Sequence, residues 1–584
     1  MIRSMDHGQA DSNMVHTQGW EMTLRSEYQF TLQVFCSAAL LLATAAAVAQ
    51  HPSEVSTYNP GVQPVTADSL KAEQLAEDAW FAHLKVLAGD ELNGRKTGTP
   101  DFLRAVEYVE GQFKAIGLKP AGVEGYRQPV GFRSALVDSE HSSVALVRPD
   151  GTAIALKVGE EVLLSPNKDG AISAEAPAVF AGRGLVVPGV GVDDLKGLDL
   201  HGKIAVIFAG APSAVHGPLK AYYRTAAIRW QILKAAGAVG VVTIAEPRLQ
   251  QGGPGRGPGA VNPATRPAEQ LSNPALNPLD GAQVSATVPS ASAAAWFASS
   301  GHTYDELATL AKDGKPLPAF PLNISIRATT TTKVLSTYQA PNVVAVLPGS
   351  DRKLKNEYLI LTAHLDHLGV GRPVDGDSIY NGAMDNAAGI ASLIETAKVL
   401  ASGPHPRRSI VFIAFTGEEE GELGSQFYAR YPTIPRAQII ADLNMDMYLP
   451  LFPLRFLEVQ RLGESTLGND ARAAAQLNDI EVQFDKQPDE NRFIRSDQAS
   501  FVKYGIPALA FKFGWLPDSP EQKTFNDWIK ERYHRPSDDL NQPIDREGAV
   551  HFDRVLLTLA RRVANAPGRP EWYPESFFST IQRR

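Results

Sequence analysis

Four apolar runs, "EYLILTAH", "SIVFIAF", "AQIIADLNM" and "IPALAFKF", follow one another downstream of Pro341, and none alternates apolar with polar residues. A strand that is apolar at nearly every position must be covered on both faces, because a half-solvated strand shows alternation of period two. Between the first two runs lies "NAAGIASLIETAKVLAS", which sets Ile390, Leu393, Ile394 and Ala397 on one face of a helix. Buried strands alternating with helices predict an α/β fold, a mostly parallel sheet covered by helices on both faces.

The rest of the chain has a different texture. Residues 75–120 read as two helices, the second opened by Thr99 as N-cap, Pro100 at the first helical position and Asp101 in the first turn. Val106, Val109, Phe113 and Ile116 recur at helical spacing and Gly117 supplies the stop. From about 130 to 335 short valine-rich strands and many glycines take over, including a strand-helix-strand unit, "KIAVIFAG", "RTAAIRWQILKAAGA" and "VGVVTIA". Residues 252–280 are rich in proline and glycine and are expected to form a long loop reaching over the mouth of a site. The organisation expected is therefore an upstream extension and export signal at 1–49, a helical part at 50–130, an inserted β-rich domain at 131–335, and an α/β domain at 336–584. A chain of 584 residues has room for this many parts.

The export signal rests on Arg25, the apolar stretch behind it and the small residues Ala47, Val48 and Ala49 before Gln50, with Met22 as an alternative start. Its uncharged core is short for a membrane span, so the expected location is periplasmic or secreted, without stable membrane association once the signal is cleaved. Cys36, the single cysteine, lies in this segment, so a mature chain has no disulfide, no cysteine nucleophile and no thiolate ligand. A net charge of -8 without a basic tract points to no nucleic-acid partner. Nothing in the pattern indicates an oligomeric state.

In sheets of this kind ligands bind beyond the carboxyl ends of the strands. There the chain carries His364 and Asp366, Asp385 before the helix, Glu418 and Glu419, Asp446, and far downstream His534 in "YHRPSDDL". The triplet in "AFTGEEEGELGS" is otherwise hard to understand: adjacent carboxylates repel, and holding them inside a fold needs a compensating cation. Imidazole and carboxylate without thiolate suit a zinc-like catalytic metal, and five candidate ligands exceed what one open zinc site needs. They fit two metals sharing a carboxylate.

The ordered set "AHLDHLG", "NGAMDNAAG", "FTGEEEGELGS", "NMDM", "RSDQASFVKYGIPAL" and "YHRPSDDL" resembles the co-catalytic zinc exopeptidase family of bacterial leucyl aminopeptidase and glutamate carboxypeptidase. The likeness covers 336 to about 565. The helices before 130 resemble the family's N-terminal part, and the block between resembles an inserted protease-associated domain. The resemblance implies two zinc ions, with Asp385 bridging them, Glu419 and His534 completing one site and His364 and Asp446 the other. It makes Glu418 the general base and Asp366 the carboxylate that orients His364. It leaves His367 as a loop or supporting residue and Glu420 as a solvated turn residue. Met384 stands where many members carry an aspartate, a change expected to touch only the pocket wall. The implied activity is removal of N-terminal residues from peptides.

Carboxypeptidase or dipeptidase action within the family is the alternative, and a non-catalytic receptor-like relative is the alternative of another class. The amino-acid-deacylating zinc amidohydrolases insert their extra domain after the glutamate pair, whereas here the insertion precedes the first ligand. A single-zinc glutaminyl cyclase would lack both the insertion and the full ligand set. Arg492 and Arg495 read either as a clamp for a substrate carboxylate or as scaffold ion pairs, the latter being the expectation.

Overall fold

The computed structural model describes residues 67–166, 169–215, 217–245 and 267–580. The export signal, Cys36 and the Gln50 start therefore lie outside the described residues, as do 252–266 of the expected loop.

Helix α1 (Ala67–Leu87) sets Trp80, Leu84 and Leu87 at helical spacing, all fully buried. Helix α2 (Pro100–Ile116) starts as its residues dictate: Thr99 accepts the Phe102 N–H at 3.2 Å, and Gly117 ends it at φ 88°. Downstream run β2 (Ala319–Leu347), β3 (Tyr358–His364), α3 (Ala388–Ser402), β4 (Ser409–Phe415), β5 (Ile439–Asn444), β6 (Phe456–Gln460), β7 (Glu481–Phe484), β8 (Ala508–Phe513), α4 (Pro520–Glu531) and α5 (Arg546–Asn565).

The sheet order is β2-β4-β3-β5-β8-β6-β7. The pairs β4–β3, β3–β5, β5–β8 and β6–β7 are parallel, while β2–β4 and β8–β6 are antiparallel. Coverage of both faces is visible in the side chains of single strands. In β4, Ile410, Phe412 and Ala414 join a core with Val106, Phe113, Ile390 and Leu393, while Val411, Ile413 and Phe415 join another with Tyr428, Phe501 and Ile506. Because successive strand residues point to opposite faces, an apolar residue at every position is what this sandwiched sheet requires. The four apolar runs become β3, β4, β5 and β8.

The insertion hangs from a two-stranded ribbon. Strand β1 (Arg127–Val137) pairs antiparallel with β2 from Thr332 to Val343, with a bulge between Val334 and Ser336. The expected boundaries at 130/131 and 335/336 thus fall inside continuous strands rather than in linkers. Beyond the ribbon, Leu146, Phe180, Phe208, Val242, Trp296 and Ile326 belong to a core separate from that of the α/β part. The strand-helix-strand unit is present as parallel strands Ile204–Phe208 and Gly240–Ile244 joined by a helix at Ala226–Ala235.

The expected loop is shorter than its composition indicates. Ala268–Leu271 forms a strand on the edge of β1, Tyr338 donates to Glu269 at 2.9 Å, and Asn273 caps a short turn. Register with β1 overrides the proline-rich texture. Among the described residues no helix is long and apolar enough to cross a membrane.

Candidate metal centre

The side chains expected at the strand ends meet around one carboxylate. β3 ends at His364; β4 leads through Gly417 (φ 66°) into Glu418 and Glu419; Asp446 follows β5; and His534, itself at φ 56°, follows α4. Asp385 sits in a tight turn, Ala383–Ala387, ahead of α3. Its two oxygens face different partners. Oδ1 lies 3.3 Å from His364 Nε2, which is also 3.3 Å from Asp446 Oδ1. Oδ2 lies 3.3 Å from His534 Nε2, which is 3.2 Å from Glu419 Oε2. All five ligand candidates are thereby brought together in two subsets that share Asp385.

These separations suit donors that share a metal better than they suit hydrogen bonds. Two donors about 2.1 Å from one tetrahedral zinc stand roughly 3.4 Å apart. Ordinary N–H···O contacts are centred near 2.9 Å. The charge balance points the same way. Burial alone would lower the His364 pKa, yet Glu418, Asp385 and Asp446 raise it well above its usual value. Against the same opposition from burial, Glu419 and Asp385 push His534 up to about 10. Glu419 is driven down to about 2, the pull of His534 outweighing its burial. The carboxylates draw positive charge onto the imidazoles, as a cluster built to hold cations would.

Support comes from residues on which the sequence was silent. Asp538 accepts the N–H groups of Met384 at 2.9 Å and Asp385 at 3.0 Å. Arg95, fully buried, donates to the carbonyls of Leu365 at 2.8 Å, Leu87 at 2.9 Å and Gly382 at 2.7 Å, and to that of Asn381. Gly382 has no room for a side chain: a Cβ there would lie 2.4 Å from the His367 ring and 2.1 Å from the Asp385 carbonyl. A long-range clamp of this kind leaves no local pattern, so no spacing announces it.

Several expectations need correction. Asp366 does not orient His364 through its carboxylate; the backbone carbonyl of Asp366 lies 3.1 Å from His364 Nδ1. The carboxylate instead accepts the N–H groups of Glu418 at 3.2 Å and Glu419 at 3.3 Å. Its pKa is raised to about 6, chiefly by burial.

His367 lies in the loop that follows β3. It is buried, with Nδ1 2.6 Å from Glu419 Oε1 and 4.0 Å from Asp385 Oδ2, and its Nε2 has no hydrogen-bond partner among the described residues. The spacing His364-Leu365-Asp366-His367 was the available signal. Glu420 is not solvated: its side chain is 12% exposed and pairs with Lys96 Nζ at 2.8 Å. Met384 is buried in the apolar core and does not line the cleft. Arg492 and Arg495 line the cleft but form no ion pair among the described residues; Arg492 lies over the Phe525 ring, 5.6 Å from its centre.

Residues 342–560 match the profile of "Peptidase family M28". A "Probable zinc metalloprotease" of Pyrenophora teres f. teres is 36% identical over 105 residues, 18% of this chain and 22% of its own length. The "Probable lipoprotein aminopeptidase LpqL" of Mycobacterium tuberculosis is 27% identical over 257 residues, 41% of this chain and 45% of its own. The matches thus span less than half of these relatives. Among solved structures, an aminopeptidase from Aneurinibacillus sp. strain AM-1 is 21% identical with a TM-score of 0.45, covering 87% of this chain and 97% of that one. A zinc aminopeptidase from Bacillus subtilis is 18% identical with a TM-score of 0.40, covering 87% and 98%. Every converging side chain lies inside 342–560, the segment that is similar to peptidase family M28.

Proposed function

We propose that this chain is an exported two-zinc exopeptidase that removes N-terminal residues from peptides. The observation that carries the reading is the division of Asp385, one oxygen toward His364 and Asp446 and the other toward His534 and Glu419. His364, Asp385 and Asp446 would hold one zinc, and Asp385, Glu419 and His534 the other, with His367 near enough to Asp385 and Glu419 to share that second set. A zinc pair, when bound, supplies Lewis acidity and a water acidified toward neutral pH. The names of the relatives, a probable zinc metalloprotease and a probable aminopeptidase, agree with this choice of metal and reaction.

Glu418 is the proton carrier. It lines the cleft with Asp385, Asp446 and His534, and no metal subset claims it. Burial, then Asp446, Glu419 and Asp497, raise its pKa well above the usual carboxylate range, against the pull of His364. A carboxylate of raised basicity takes a proton from the attacking water and passes it to the leaving amine, which otherwise departs poorly. Asp366 acts through the backbone, fixing the two N–H groups from which Glu418 and Glu419 diverge. The inserted domain, which resembles a protease-associated domain, contributes none of these side chains and is assigned to substrate access. Export rests on the Arg25-to-Gln50 pattern, and N-terminal sequencing of secreted protein should begin at or near Gln50.

Glu418→Gln tests the core of this reading. It keeps shape but cannot accept a proton, so hydrolysis of an unblocked leucine anilide should fall by about 10²–10⁴-fold. Zinc content should stay at the parental two equivalents, and a blocked N-terminus should be cleaved poorly by the parent. Parental turnover by Glu418→Gln with both metals bound would assign the proton to another group.

A further inference from the structure

The cleft that opens on the metal centre has a positively charged wall. β8 and β6 pair so that Gln460 faces Ala510, and Lys512 lies two residues along on the same face as Ala510. Gln460, Ala510 and Lys512 all line the cleft, together with Arg492 and Arg495. Lys512 is only 6% exposed, and among the described residues its ammonium makes one hydrogen bond, to the Met447 carbonyl at 3.0 Å. An ammonium group has three donors, and burying it calls for an anion or further acceptors.

Among the described residues no anion meets the Lys512 ammonium at contact distance; Asp446, Glu458 and Asp385 act on it only from further off. Among the described residues no carboxylate lies within 4.0 Å of the charged nitrogens of Lys512, Arg492 or Arg495, whereas the scaffold arginines Arg408 and Arg569 both pair with Glu357. Glu458 stands opposite Lys512 in register and attracts both Lys512 and Arg492, but its Oε2 accepts the Lys486 N–H at 3.2 Å and neither oxygen reaches a cationic nitrogen within 4.0 Å among the described residues. Glu490 is exposed at the mouth. Arg492 is half-buried and held over Phe525, which presets its planar fork without neutralising it. Two neighbouring cations on one wall repel each other, as the adjacent glutamates do, and need an opposite charge between them.

We propose that this wall selects substrates by a carboxylate, held by Arg492 and Lys512 while the adjoining acidic cluster holds the metals. The assignment rests on the exopeptidase reading in one respect: it takes this cleft as the substrate cleft. The carboxylate has two sources, the side chain of an acidic N-terminal residue or the free C-terminus of a dipeptide. A guanidinium offers paired donors to either.

Two acid–amide pairs separate the sources. Unblocked glutamyl anilide against glutaminyl anilide tests the side chain, and leucyl-glycine against leucyl-glycinamide tests the C-terminus. With zinc-loaded parent protein, the acid of at least one pair should be preferred over its amide by about 10–100-fold in kcat/KM, the scale of a charged hydrogen-bond pair. Arg492→Gln and Lys512→Met should each bring that ratio toward one, mainly through KM. Arg492→Gln changes a half-buried side chain without an ion pair, so it decides the matter even if Lys512→Met fails to fold.

Calorimetric binding of the same four compounds to zinc-loaded Glu418→Gln protein gives the ratios independently of turnover. If the parent hydrolyses none of the compounds, the exopeptidase reading fails while the binding ratios still judge the cationic wall. Acid–amide ratios near one in the parent, or a preference that survives Arg492→Gln, would overturn the proposal.

Discussion

Arg95 offers a stringent test of how the site is held together, because all three of its guanidinium nitrogens are committed. Nε donates to Leu365, Nη1 to Leu87 and Asn381, and Nη2 to Gly382, so one side chain ties the end of α1, the residue after β3 and the turn before Asp385. Its pKa is lowered to about 10 by burial, against the opposing pull of Asp538, Asp385, Asp366 and Glu419. Arg95→Met keeps much of the length and removes both charge and donors. Each hydrogen bond to a charged donor is worth roughly 1.5–3 kcal/mol, which over four carbonyls gives an upper bound of about 12 kcal/mol. The substitution also relieves the desolvation of a buried cation, which amounts to several kcal/mol, and this term decides the net effect. The expected loss is then about 3–5 kcal/mol, the scale of breaking one side of a buried charged network.

Arg95→Lys separates charge from geometry. A single ammonium donates from one point and has three donors, so it restores the charge but cannot serve carbonyls spread around a planar fork. It should lose at least half as much stability as Arg95→Met. Urea unfolding of parent and variants, followed by tryptophan fluorescence at fixed metal concentration, supplies the midpoints and slopes. An Arg95→Met midpoint equivalent to less than about 1 kcal/mol of destabilisation would refute the clamp. Full recovery by lysine would show that charge alone is what the site needs.

Three further outcomes are expected. His364→Ala and His534→Ala should each reduce bound zinc by one equivalent or more and abolish peptide hydrolysis; a fully active His534→Ala protein with two zincs would remove the final ligand assignment. Asp442, held by Thr362 at 2.9 Å, has its pKa raised by burial to about 8, so the folded state keeps a proton that the unfolded chain releases near 4, and this contribution to stability falls as pH rises from about 4 to about 8. Asp442→Asn removes that titration, and its urea midpoint should gain on the parent's across the same interval; a pH-independent difference would mean that Asp442 is ionised in the fold. Asp366→Asn, which replaces one of the two oxygens holding the Glu418 and Glu419 N–H groups with a donor, should lower kcat far more than it raises KM.

The sheet was legible because burial on both faces imposes composition. A strand such as "SIVFIAF" admits no polar residue when Phe412 faces one core and Ile413 the other. The convergence of the candidate ligands was legible for a related reason: parallel strands expose their carboxyl ends together, so His364, Glu419 and Asp446 share one rim although far apart in sequence. What escaped was set by contacts without local signature. Arg95 lies 270 residues from the Leu365 carbonyl it serves, and Asp538 lies 153 residues from the Asp385 N–H it holds. The strand at Ala268–Leu271 escaped because its proline-rich surroundings mask a pairing decided by β1.

Three successive glutamates at the end of β4 bring these strands together. They tolerate one another because the chain turns at Gly417 (φ 66°) and Gly421 (φ 102°), and in leaving the sheet it sends three like charges to different destinations. Glu419 turns inward to Asp385 and His534, where a metal is the natural counter-charge. Glu418 lines the cleft, where burial and its acidic neighbours raise its pKa well above the usual carboxylate range. Glu420 turns back to Lys96, one residue from the Arg95 clamp, while Thr97 accepts the Gly417 N–H at 3.0 Å. The short segment after α1 therefore grips the glutamate turn with Lys96 and Thr97 and the Asp385 turn with Arg95. This explains why the helical part before 130 packs as one body with the α/β part: without it, neither turn that presents the candidate ligands has its counter-charge or its donors.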